Sequence, residues 1–66
     1  MNLIKSLAMA KAITGITNKR ISGELNTSQQ QVANWCRTGA IKQSNIVAMA
    51  KVFDMKVSEF IALGES

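Results

Sequence analysis

Histidine and proline are absent from this 66-residue chain, and cysteine occurs once, as Cys36. A single cysteine can form no disulfide within the chain. Without histidine it cannot assemble a zinc site either, so neither metal nor cofactor is expected. The only carboxylates, Glu24, Asp54, Glu59 and Glu65, are scattered along the sequence. Catalysis needs acid, base or nucleophile set side by side, and this composition argues against an enzyme. Apolar runs fall far short of the roughly 18 residues of a membrane span, so no membrane partner is expected. The first residues lack the apolar stretch and cleavage site of an export signal, which makes the cytoplasm the expected location. With no proline and few glycines, a linker or disordered segment is not expected.

What remains is a globular composition, 47% hydrophobic and 18% charged. The length allows one domain, residues 1–66. So small a domain buries only about 60% of its unfolded surface, and a second subunit would add stability. The net charge of +4 is unevenly spread. Residues 1–42 carry Lys5, Lys11, Lys19, Arg20, Arg37 and Lys42 against Glu24 alone, while residues 43–66 carry Lys51 and Lys56 against three carboxylates. That is the footprint of a polyanion binder. Charge alone leaves a merely solvated basic surface equally open.

Apolar residues recur at helical spacing throughout, with no strand-like alternation. The spacing predicts five helices, over about 2–13, 18–25, 29–36, 43–53 and 57–63, in a compact all-α bundle. Asn2, Thr17 and Ser28 are candidate N-caps. Gly15 is a candidate stop after the first helix, and Asn26 a candidate left-handed turn residue. The inward set is Leu3, Leu7 and Ala10; Ile21 and Leu25; Val32 and Trp35; Ile46, Met49, Ala50 and Phe53; then Val57, Phe60 and Ile61. Lys5 and Lys11 fall towards solvent, Cys36 reads as a half-buried filler, and Trp35 as core. Met1, Met9, Met49 and Met55 read as gap-fillers, with Met9 and Met55 also candidates for a subunit contact. Gly23 inside a short helix costs about 1 kcal/mol against alanine and reads as tolerated.

The segment Thr17–Trp35 has the layout of a helix-turn-helix. Ser22 supplies the small residue needed where two helices cross, and Asn26 the turn. Ile21, Leu25, Val32 and Trp35 form the wedge between the helices. The outer face of the third helix then carries Gln29, Gln30, Gln31 and Asn34, all uncharged amides. An amide offers a donor and an acceptor together, the pattern that pairs with adenine N6 and N7 in the major groove. Lys19, Arg20, Arg37 and Lys42 surround this face with cations suited to phosphates.

On these residues, 17–36 resemble the helix-turn-helix of the lambdoid phage repressor and Cro proteins. Thr27-Ser28-Gln29-Gln30 followed by Val32 is similar to the start of their recognition helices. The likeness runs more weakly through Gly39-Ala40-Ile41 to Met55–Ile61. It implies a lambda-repressor-like DNA-binding fold and a Cro-like repressor, of a phage or prophage, acting in a bacterial or phage-infected cell. It implies base contacts from Gln29, Gln30 and Asn34. It implies backbone contacts from Asn18, Lys19, Arg20, Ser28, Gln31, Arg37 and Lys42. The chain departs from the family at Asn26 (often Gly), Ser22 (often Ala), Lys42 (often Pro) and Asn18, which is shorter than the usual Gln.

The expected function is thus a sequence-specific regulator that binds double-stranded DNA as a homodimer on a near-palindromic operator, without a small-molecule ligand. Helix 4, helix 5 and the tail Gly64-Glu65-Ser66 are candidates for the dimer contact. The competing expectation is an antitoxin or anti-repressor, using the same fold to mask a protein. Protein hot spots favour Trp, Tyr and Arg, whereas the presented row is made of amides.

Overall fold

Short polar side chains open three of the helices, and left-handed residues close or join them. The computed structural model describes residues 2–65. Helix α1 spans Leu3–Thr14. Asn2 Oδ1 opens it by accepting the Lys5 N–H at 3.1 Å, and Gly15, at φ 72°, closes it. Helix α2, Asn18–Glu24, opens where Thr17 Oγ1 accepts the Arg20 N–H. Helix α3, Gln29–Thr38, opens where Ser28 Oγ accepts the Gln31 N–H at 3.1 Å, and Gly39 closes it at φ 70°. Helices α4, Gln43–Val52, and α5, Val57–Leu63, follow. At the start of α5 the Glu59 carboxylate accepts the Lys56 N–H at 3.0 Å. The described residues contain these helices and no strand, so the architecture is all-α. None of the helices is long and apolar enough to cross a membrane.

Helix α1 is shifted by one residue at each end against the sequence expectation, α2 ends one residue early, and the ends of α3 and α4 differ for reasons visible in their stops. Helix α3 runs on to Thr38, whose hydroxyl donates to the Asn34 carbonyl at 2.8 Å, because the stop is Gly39. Helix α4 ends at Val52, with Phe53 as its C-cap. Asp54 then turns left-handed at φ 56°, and the Met55 N–H reaches back to the Ala50 carbonyl at 2.8 Å. Those last carbonyls are satisfied by a left-handed stop that the residue type did not announce.

Helix α1 packs on α5 and α3, α2 packs on α3 and α4, and α4 packs on α5. The core gathers Leu3, Leu7 and Ala10 with Ile21, Val32, Trp35, Ile46, Met49, Ala50, Phe53 and Phe60. Leu25, Val57 and Ile61, expected inward, are half-buried. The Phe53 and Phe60 rings stack with centroids 5.8 Å apart. Ser6 is a buried polar addition to the α1–α5 seam, and its hydroxyl donates to the Ile61 carbonyl at 3.3 Å. Met9 is exposed and Met55 half-buried. Gly23 has open space where a Cβ would stand.

Of the tail named as a candidate dimer contact, Gly64 is committed to the fold and Glu65 is exposed. Gly64 is buried, and a Cβ there would overlap the Asn2 carbonyl and the Ser6 hydroxyl. Met1 and Ser66, named above as a gap-filler and part of that tail, lie outside the described residues. Overpacking costs about 1–3 kcal/mol, so Gly64→Ala is expected to lower stability by that amount in urea unfolding. An unchanged midpoint would mean that the tail does not press on α1.

Candidate nucleic-acid interface

The turn between α2 and α3 sets the presentation of α3. Asn26 adopts φ 55°, the conformation that asparagine tolerates better than most residues. Beyond it the Thr27 N–H returns to the Ser22 carbonyl at 2.9 Å. Ser22 is buried, with its hydroxyl donating to the Lys19 carbonyl at 2.8 Å. Val32 and Trp35 anchor α3 inward at 0% and 5% exposure. With one side held in the core, the opposite side must face out.

Successive helical residues are rotated by about 100°, so Gln29, Gln30 and Gln31 fan across that outer side. All three are exposed, and Asn34 is half-buried. Gln29 lines an open depression with Lys11, Asn18 and Lys19, beside the start of α2. Gln31 lines another with Thr27, Lys42 and Asn45, beside the start of α4. Gln30 stands on the crest between them. Its Nε2 donates to Asn34 Oδ1 at 3.4 Å, and Arg37 Nη2 donates to the same oxygen at 3.1 Å. Residues 30, 34 and 37 therefore form one connected polar row along α3.

Most of the residues singled out in the sequence converge here. Gln29, Asn18 and Lys19 share one flank, Gln31 and Lys42 the other, and Gln30, Asn34 and Arg37 the crest. Ser28 is exposed at the head of α3, with its hydroxyl engaged in the cap. Arg20 is set apart, in a groove between α2 and α4 with Glu24 and Lys51. Lys19 and Arg20, consecutive in α2 and so rotated by about 100°, thus serve different sides of the molecule.

Lys11 and Asn45 are additions that the sequence reading missed. Lys11 is half-buried rather than free at the solvent edge. Its Nζ donates to Cys36 Sγ at 3.8 Å, and the Cys36 thiol donates to Asn18 Oδ1 at 3.8 Å. This chain of contacts ties α1, α3 and the start of α2 together, and it engages the carbonyl end of Asn18. No local pattern signals it, because the three residues are far apart in sequence. Asn45 follows Lys42 by one helical turn, a spacing that would have placed both on one edge of α4.

Among the described residues, no three His, Cys, Asp or Glu side chains gather as metal ligands would. The face can offer hydrogen-bond donors and acceptors at its crest and positive charge on its flanks. Comparison with protein-family models, with curated proteins and with solved structures gives no match.

Proposed function

We propose that this chain is a sequence-specific regulator that binds double-stranded DNA, with α2, the turn and α3 acting as a helix-turn-helix of the lambda-repressor kind. Helix α3 is the recognition helix. The observation that carries this reading is the exposed amide fan of α3, flanked on both sides by lysines. An α-helix with its side chains is about 10–12 Å across, and the B-DNA major groove is about 12 Å wide. Amides on the crest meet base edges there, while flanking cations meet the phosphates that position the protein.

Gln29, Gln30 and Asn34 face bases in this reading. Asn18, Lys19, Ser28, Gln31, Arg37 and Lys42 face the backbone, joined by Lys11 and Asn45 from the two flanks. Asn18 uses its amide N–H groups for this, since its oxygen is occupied by Cys36. The exposed row is poor in the groups an enzyme would need and rich in those a groove-reader uses. A single reading helix gains specificity by pairing, so we assign a homodimer on a near-palindromic operator, in the manner of a Cro-like repressor.

The test is selection of bound duplexes from a random DNA pool at near-physiological salt. A two-fold symmetric site is expected, with half-site centres about 10 bp, or about 34 Å, apart. Retention without any enriched sequence would refute the specific-regulator reading and point to a protein partner instead.

A further inference from the structure

The three linked side chains on the crest of α3 divide the labour of base reading unequally. Arginine has only donors to offer, so the group that Asn34 turns towards Arg37 must be its carbonyl oxygen. The 3.1 Å contact from Arg37 Nη2 to Asn34 Oδ1 thereby fixes which way the Asn34 amide lies. The same oxygen meets Gln30, so the Gln30 atom facing it must be the amide nitrogen, as the 3.4 Å contact from Nε2 shows. One donor-only side chain sets the orientation of two amides in succession.

An amide that pairs with adenine must give one N–H to N7 and accept one from N6. Gln30 keeps both groups: its carbonyl oxygen and its second amide hydrogen are not used by Asn34. Asn34 has spent its oxygen on two donors and keeps only N–H groups for a ligand. Donors alone suit an acceptor edge, such as guanine O6 and N7 or thymine O4.

We propose that Asn34 is a positioning residue rather than an adenine reader: held by Arg37, it fixes the Gln30 amide in the orientation that reads adenine. This rests on the DNA-binding reading above and deepens it by assigning the reader and its support.

Two measurements on the full chain test it. The first needs no DNA. Side-chain amide relaxation by NMR is expected to show Gln30 more ordered than Gln29 and Gln31, and Asn34→Ala to remove that difference. Equal mobility of the three glutamines in the unsubstituted protein would overturn the proposal, whatever the protein binds. The second maps base preference by pool selection. The base pair whose preference vanishes in Gln30→Ala is the one Gln30 reads. At that pair, Asn34→Ala is expected to reduce a preference of roughly tenfold or more to under about threefold. Asn34→Asp keeps an acceptor for both donors and is expected to retain the preference there, despite weaker binding overall. A preference in Asn34→Ala as sharp as in the unsubstituted protein would overturn the positioning role while leaving DNA binding intact. An ordered Gln30 in a protein that enriches no sequence would instead overturn the DNA reading, and with it the base assignment.

Discussion

Replacing Phe60 with alanine is expected to unfold much of the protein at 25 °C. Phe60 is fully buried, stacks on Phe53 and belongs to α5, which seats α1. Cutting a buried phenylalanine to alanine costs about 3–5 kcal/mol. A domain of this size draws no more than about 3–5 kcal/mol from its core, so the loss is as large as the whole margin. Far-UV circular dichroism with urea titration reads the effect directly. Phe60→Leu keeps most of the volume and is expected to remain folded, with a loss nearer 1.5 kcal/mol. If Phe60→Ala melted at the midpoint of the unsubstituted protein, the α1–α5 seam would have to be held by something other than this ring.

The second large effect is electrostatic. Each phosphate neutralised contributes about −0.9 to the slope of log K against log salt. In the proposed dimer on DNA, Lys19, Arg37 and Lys42 of each subunit would supply about six such contacts, the range in which affinity falls by about 10³-fold between 50 and 200 mM salt. Titrating operator binding against salt gives the slope. Arg37→Gln is expected to lower its magnitude by about one per subunit. Arg20→Gln is expected to leave it nearly unchanged, because that side chain faces the α2–α4 groove beside Glu24. A slope near zero would separate the basic face from any nucleic acid.

Local chemistry made much of the fold legible. Asn2, Thr17 and Ser28 carry the short acceptors that N-termini need, and each caps the helix predicted for it. Asn26 takes the left-handed turn that its residue type allows. The inward positions of α4 followed from spacing alone, and Ile46, Met49, Ala50 and Phe53 are all buried. The limits were tertiary. Ser6 reads as an ordinary polar residue until α5 arrives to accept its hydroxyl. Gly64 reads as part of a loose end until α1 presses against it. Lys11 reads as a solvated cation until α3 brings Cys36 within reach. Arg20 and Lys19 are neighbours in sequence, but the second contacts of α2 send them to different grooves. The amide face was legible as composition; its internal order, with Arg37 at one end of a linked row, was not.

The seating of α1 on α5 also bears on how the molecule comes into being. Helix α1 leaves the ribosome before its principal seat, α5, which is the last of the five described helices to be made. Until α5 emerges, Leu3, Leu7 and Ala10 have lost much of the surface that would cover them. The nascent chain therefore waits, and the closing step couples residues more than fifty positions apart, as the Ser6–Ile61 contact does. A protease that clipped the chain between α4 and α5 would do more than trim an end. It would unseat α1 and, through the α1–α3 contact, loosen the helix that carries the amides. Removing α5 would disturb the exposed amide row of α3 without touching any residue of that row.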